Sequence, residues 1–178
     1  MVKFKPVRIE LGNSKIAGVG TFAATRFSSG AKVAEGINTA DYRHLVPWHD
    51  FQSFDPEVQK KVMDFCIGTP KGFIPPEDYD FNGLTVEWFF NHSCDGNLGF
   101  DDRGDFVARR TISKGMECTY DYGLAESNPD FSMLCNCGSQ NCRKIITGSD
   151  WKDPAFRRKN LLYFLPALRS RVPRLQSA

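Results

Sequence analysis

The chain of 178 residues has no apolar run long enough to cross a bilayer, which excludes a helical membrane span. No secretory leader is expected either, because Met1-Val2-Lys3-Phe4-Lys5 leads into no apolar core. An intracellular protein in a reducing compartment is therefore expected, where six cysteines stay as thiols or bind metal rather than pair. Strong charge of one sign is missing too, since the net charge is only +2. The balance is uneven along the chain. Residues 151–178 hold seven Lys or Arg and one acid, which leaves 16 basic and 20 acidic groups before them. An acidic body with a basic tail does not suit a nucleic-acid-binding domain, although it tolerates a basic partner. The tail reads as a solvated helix face. Disorder is excluded by a hydrophobic content of 41%, and the length suits one domain with a sizeable core. A dinucleotide fingerprint is absent as well, because Gly18-Val19-Gly20 has neither the third glycine nor the following helix.

What is present first is a series of short strands. Residues 3–11 alternate apolar and charged, the period-2 mark of a half-buried strand. A turn at Gly12–Lys15 leads to Ile16–Ala24, and Ser28–Gly30 turns into a short strand over Ala31–Gly36. The Gly-x-Gly at 18–20 allows a sharp bend and a close backbone approach. Residues 38–82 read as a helical insertion. Asp55 is an N-cap with Pro56 at the first helical position. Val58, Val62, Phe65 and Cys66 follow on one face, and Gly68 and Pro70 end the helix. Pro75–Asp80 is an acidic loop, read as solvated, with a wall for a basic substrate as its functional alternative. Beyond it, Leu98–Phe100 and Phe106–Ile112 form a hairpin across the polar connection 101–105. A last helix is expected over residues 153–165, with Asp153 as N-cap and Pro154 in its first turn.

Three stretches carry chemistry. Trp88-Phe89-Phe90 reads as a buried strand ending in the polar cluster Asn91-His92-Ser93-Cys94-Asp95-Gly96-Asn97, either an Asx-type turn or a site on a rigid support. Met116–Gly123 contains Tyr120 and Tyr122 around Asp121, a spacing that aims both rings to one side of a strand. A tyrosine hydroxyl in a pocket can orient an amine or shuttle a proton. Cys135, Cys137 and Cys142 fall within eight residues among turn formers and fit a zinc knuckle. The fourth ligand must come from Cys66, Cys94 or Cys118. Cys94 lies in the polar cluster, whereas Cys66 and Cys118 sit on apolar faces and read as buried thiols.

Together and in this order, these stretches resemble the SET-domain protein-lysine methyltransferases. Gly18-Val19-Gly20 is similar to the family's N-terminal Gly-x-Gly. Asn91–Asn97 is similar to its Asn-His-Ser-Cys-x-Pro-Asn motif, and Glu117–Tyr122 to its Glu-Leu-x-x-Asp-Tyr motif. Cys135-x-Cys137-x4-Cys142 is similar to its post-SET zinc motif. The resemblance spans roughly residues 5–147. Three positions depart from it: Val19 replaces a frequent Trp, Gly96 replaces Pro and loosens the turn, and Trp88 replaces a frequent Arg.

The resemblance implies a mainly β fold, the SET β-clip, with small curved sheets and a pseudoknot-like threading of the Tyr122 segment beneath the Asn91 loop. It divides the chain into a SET domain over 5–125 with the insertion 38–82, a post-SET zinc motif over 131–148, and a basic C-terminal helix and tail over 150–178. It implies transfer of methyl from S-adenosylmethionine to the ε-amine of a protein lysine, a histone tail among the candidates. The cofactor falls to Gly18, Val19, Gly20, Asn91, His92 and Tyr122, with Ile145 covering its adenine. Structural zinc falls to Cys94, Cys135, Cys137 and Cys142. Tyr122 provides the catalytic hydroxyl, and Tyr120 tunes the reaction toward mono- or dimethylation. Asp121 and Glu117 hold the strand crossing. Lysine has a pKa of about 10.4, so freeing its amine near pH 7 costs roughly 4–5 kcal/mol. Desolvation in an aromatic channel and repulsion from a sulfonium lower that barrier. Two rival functions are a SET-like binding module and a methyltransferase for a small amine or a non-histone protein.

Overall fold

Short strands dominate the computed structural model, which describes residues 7–36 and 45–172. The expected strand over 3–11 begins outside the described residues. Within them, β1 is Ile9–Asn13, β2 Val19–Ala23 and β3 Lys32–Ala34. The turn between β1 and β2 thus falls at 14–18, later than its Gly-Asn-Ser-Lys chemistry indicated. The strands β4 (Val46–Pro47), β5 (Ile67–Thr69) and β6 (Gly72–Ile74) make a three-stranded sheet inside the insertion. That segment is therefore less helical than expected. Its helices are α1 (Trp48–Phe51) and α2 (Pro56–Phe65).

The N-cap of α2 is local chemistry and falls where read, whereas the helix ends at Phe65, before the expected stop, because Cys66 is already extended and Gly68 lies in β5. Asp55 Oδ1 accepts from the Glu57 amide at 2.8 Å, and Pro56 opens the helix. Val62 faces a small core with Val46, Cys66 and Phe73, while Val58 stays 40% exposed. The Trp88–Phe90 strand is a correction. Residues Val86–Phe89 form a 3-10 turn, Phe90 is extended, and only Asn91–His92 (β7) pairs as a strand.

The hairpin is present as β8 (Leu98–Phe100) and β9 (Phe106–Ala108), closed by a turn in which the Asp105 amide donates to Asp101 Oδ1. Strand β10 (Glu117–Tyr120) is the organising element. It pairs antiparallel with β2 and parallel with both β7 and β8, so the main sheet runs β1-β2-β10-β8-β9-β3 with β7 beside β10. One strand thus joins three distant stretches of the sequence. The Phe27, Leu98, Phe100, Ile112 and Leu124 side chains close the core beneath it.

The last hairpin is β11 (Ser132–Leu134) with β12 (Ile145–Thr147). The C-terminal helix is shorter than the expected 153–165. Asp153 caps α3 (Pro154–Asn160) by accepting from the Phe156 amide at 2.6 Å. The α-helix stops at Asn160, which is buried and donates to the Phe156 carbonyl while accepting from Arg109. A 3-10 turn, Leu161–Tyr163, and α4 (Pro166–Arg169) follow, and Phe164, Leu165 and Leu168 enter the main core. The tail is a solvated helix face only in part: Arg158 and Lys159 of α3 and Lys152 before it are exposed, whereas the later basic residues turn to the body. Arg171 stacks on Trp151, and Arg169 donates to the Leu162 and Phe164 carbonyls. Arg174 lies outside the described residues. Among the described residues no helix is long and apolar enough to cross a membrane.

Candidate active site and thiol cluster

The polar cluster after β7 is built against β10. Asn97 brackets the strand from one side. Its Nδ2 donates to the Glu117 carbonyl at 2.8 Å, and its Oδ1 accepts from the Thr119 amide at 3.0 Å. Ser93 N donates to the Tyr120 carbonyl at 3.0 Å. Gly96 sits flat on this strand: a Cβ there would lie 2.7 Å from Tyr120 Cα, and its amide donates to the Ser93 carbonyl. The glycine therefore serves close backbone approach rather than a loosened turn, and a proline would lose that hydrogen bond.

The residues predicted for cofactor binding come together in part. Asn91 Nδ2 reaches the Ala17 and Val19 carbonyls at 3.2 Å and Glu117 Oε1 at 2.9 Å. Ser14 also donates to Glu117 at 2.8 Å. A side chain at Gly20 would collide with this carboxylate and with Asn91, which explains the second glycine. Gly18 adopts φ 45° and has no atom within 4 Å of a built Cβ, so the turn leaves open space for a ligand. Val19 is 45% exposed beside it.

His92 is placed differently. Its ring is buried, Nδ1 accepts from the Tyr122 amide at 3.1 Å, and Nε2 lies 3.4 Å from Cys94 Sγ. Burial pushes its pKa down to about 4, so the ring is neutral, with its proton on Nε2. Only its backbone is left for a ligand.

Tyr120 and Tyr122 do converge, with ring centroids 4.9 Å apart. They line a cavity of about 780 Å³ together with Phe90, Phe106, Trp88 and Glu126. The Tyr122 hydroxyl donates to the Phe90 carbonyl at 3.2 Å, and burial raises its pKa to about 12, so the phenol keeps its proton. Strand geometry does not produce this pairing, because the strand ends at Tyr120 and Asp121 caps a 3-10 turn through the Gly123 amide. Glu35, Asp64, Asp78 and Glu87 also line the cavity. Lys32 pairs with Glu35, and Lys60 with Asp64. The acidic loop thus supplies part of the wall through Asp78, where a solvated loop was expected. Gly18, Gly20, Asn91 and His92 are not among the residues lining this cavity.

The sulfurs of Cys94, Cys135, Cys137 and Cys142 lie within 4.8 Å of one another. Cys94 and Cys135 are 3.8 Å apart, far beyond the roughly 2.05 Å of a disulfide and close to the edge of a tetrahedron with metal–sulfur bonds of about 2.3 Å. The amides of Arg143 and Lys144 point at Cys94 and Cys142 at 3.3 and 3.4 Å, and Ser139 lies 3.1 Å from the Cys137 sulfur. Such donors steady thiolates, so the cluster fits a metal that takes four sulfurs. Cys66 and Cys118 are buried elsewhere, each raised to about 12 by burial.

Two residues escape sequence reasoning. Arg143 holds Asp121 through two bonds of 2.7 Å, holds Asp150 at 3.0 Å, and so ties the thiol cluster to the tyrosine segment. Glu126 lies in the cavity wall between an alanine and a serine, a setting with no local signal.

A strand threaded between two parallel neighbours, a paired-tyrosine cavity and an adjoining four-thiol cluster define a β-clip architecture of small sheets. The SET domain family model matches residues 18–123, and the chain belongs to the SET-domain family. The probable histone-lysine N-methyltransferase set-23 of Caenorhabditis briggsae is 42% identical over 66 residues, covering 33% of this chain and 27% of that protein. Human histone-lysine N-methyltransferase 2D is 28% identical over 143 residues, covering 76% of this chain and 2% of that protein. The chain thus spans about a quarter or less of the length of these relatives. The crystal structure of KRYPTONITE in complex with mCHG DNA and SAH has a TM-score of 0.49 and 25% identity, covering 77% of this chain and 28% of that one.

Proposed function

We propose that this protein transfers methyl groups from S-adenosylmethionine to the ε-amine of a protein lysine, and that its four clustered thiols hold a structural zinc ion. The observation that carries the reading is the cavity lined by two tyrosine rings 4.9 Å apart and by carboxylates. A long cationic side chain fits such a space, drawn by the acids and desolvated by the rings. Names of the relatives, histone-lysine N-methyltransferases, support a lysine substrate and favour a histone tail. Reduced thiols in the cluster suit an intracellular setting.

S-adenosylmethionine supplies the methyl group on a cationic sulfur. The open face of Gly18, the exposed Val19 and Ile145 side chains, and the backbone at Asn91 and His92 are the groups assigned to hold it. The chain's own contribution to the reaction is positioning. Tyr122, fixed by its bond to the Phe90 carbonyl, presents a protonated hydroxyl beside the channel end, where its oxygen accepts from the amine. Tyr120 stands fully inside the same wall, and its hydroxyl limits the room for added methyls. Cys94, Cys135, Cys137 and Cys142 would hold the zinc ion and so fasten the β11–β12 hairpin to the loop that also holds β10.

The test is incubation with labelled S-adenosylmethionine and a panel of core histones, lysine peptides and small amines. Label is expected on protein lysine, as mono- and dimethyl product by mass spectrometry. Cofactor binding without any transfer supports the binding module instead, and transfer to small amines alone defeats the protein-lysine assignment. In the same assay Tyr122→Phe is expected to lower turnover by about 10²–10⁴-fold, with cofactor affinity intact. Near-normal turnover removes Tyr122 from its role.

A further inference from the structure

Glu126 is only 6% exposed, yet it borders the cavity. Its Oε2 accepts from the Gly68 amide at 2.8 Å and its Oε1 from the Asn128 amide at 2.7 Å. Gly68 has no side chain where one would crowd this carboxylate. The acid is thereby fixed between β5 and the segment that follows Tyr122. No ion pair among the described residues includes it. The more deeply buried ionisable groups that line the cavity with it are Tyr120 and Tyr122 from the β10 segment and Cys66 from the end of α2, while Glu35, Asp64, Asp78, Tyr79 and Glu87 line its more exposed parts. Tyr120, Tyr122 and Cys66 are weak acids raised by burial, hence neutral. Asp121 turns instead to Arg143. Burial outweighs the amides of Asn128, Gly68 and Ser127 and raises the Glu126 carboxyl to about 7.

A buried carboxylate without a cation is unfavourable unless something arrives to pair with it. Tying two amides together does not require a charge. Each oxygen also keeps a second lone pair after its backbone bond, so the carboxylate can still accept from a guest.

We propose that Glu126 is the cation-receiving group of the cavity, accepting hydrogen bonds from the ammonium of the incoming lysine and discriminating by the number of N–H groups left on it. An ammonium of lysine offers three donors, and each methyl removes one. The trimethylated nitrogen has none and leaves the carboxylate unpaired. The same burial that raises Glu126 lowers a bound ammonium. A proton can therefore pass from nitrogen to Oε, breaking N–H and forming O–H, and leave a neutral amine beside a neutral acid. This inference rests on the lysine reading above.

Titration calorimetry on the full chain, with S-adenosylhomocysteine present, tests it. The probe is the peptide around whichever lysine the wild-type chain methylates, in its unmodified, trimethyl-lysine and norleucine forms. Wild type is expected to prefer the unmodified peptide by tenfold or more. Glu126→Gln is expected to bring the three within about twofold while cofactor affinity holds, with the melting temperature matching wild type near pH 8. Glu126→Asp, which keeps the charge on a shorter stem, is expected to retain part of the preference and guards against a Gln variant that fails to fold. Wild-type affinity for the unmodified peptide should also fall as pH drops below about 7, as the free carboxyl takes up its proton, and this slope should vanish in the Gln variant. An unchanged preference in a folded Gln variant overturns the assignment of Glu126 alone. Absence of any methylated lysine in the transfer assay overturns the underlying reading as well.

Discussion

The junction of residues 91–97 with 117–122 and the wall built by residues 45–90 are held together by opposite means. In the junction, Asn91, Asn97, His92 and Asp121 make directional bonds to backbone and charged partners. In the wall, rings touch rings: Trp48 and Phe51 flank Phe73 at 4.6 and 4.9 Å, and Phe65 meets Phe89 at 5.6 Å. A hydrogen bond fixes a distance and an angle, whereas an apolar contact tolerates repacking at constant volume. The junction is thus suited to aligning reactants, and the wall to being reshaped around different substrates.

The strongest way to break the junction is to remove the sulfur that links it to the β11–β12 hairpin. Cys94→Ser is expected to abolish stoichiometric zinc, measured with a colorimetric chelator after denaturation, and to abolish methyl transfer with it. Its removal strips the amide of Arg143 of its acceptor and loosens the clamp on Asp121. Full zinc retention in this variant means that the fourth ligand lies elsewhere. The next largest effect belongs to the wall. Phe73→Ala empties the centre of its core and is expected to cost about 3–5 kcal/mol. The loss should appear in hydrogen exchange as faster opening of residues 45–74, with the β10 amides still protected. Asn97→Ala leaves the Thr119 amide and the Glu117 carbonyl without partners and is expected to cost about 2–4 kcal/mol. Its signature is the reverse, loss of protection along β10 itself. Equal patterns from the two variants would erase the distinction between junction and wall.

Much of the junction was legible because its residues announce themselves. Two caps, Asp55 with Pro56 and Asp153 with Pro154, are local contacts and needed no tertiary knowledge. The four cysteines were legible because thiols among turn formers have few other uses, although the choice of Cys94 leaned on its place in the polar cluster. The wall was harder to read. Trp88-Phe89-Phe90 has the composition of a strand, yet Trp88 and Phe89 belong to a 3-10 turn and only Phe90 is extended. The parallel pairing of β10 with β7 joins residues 28 apart, and nothing in either segment encodes it. His92 looked like a ligand-facing residue, and its burial against Cys94 and Tyr122 depends on that same pairing.

Glu126 sits where junction meets wall, and its pH response is the smallest effect and the one that separates charge from shape. Its folded pKa of about 7 lies above the ordinary 4.5, so the folded state binds the proton more tightly than the unfolded chain. Stability from this group is therefore complete below pH 4.5 and is lost as pH rises through 7, a difference on the order of 3 kcal/mol. Glu126→Gln removes the charge but turns an amide N–H₂ toward one of two backbone N–H donors, at about 1–3 kcal/mol. The two changes nearly offset at pH 8, where the variant should unfold within about 1 kcal/mol of wild type. At pH 5 only the penalty remains, and the variant should be the less stable by about that penalty. Urea midpoints of both proteins between pH 5 and 8 provide the check. Parallel curves would show that the carboxylate is ionised throughout this range and that the wall supplies it with a cation of its own.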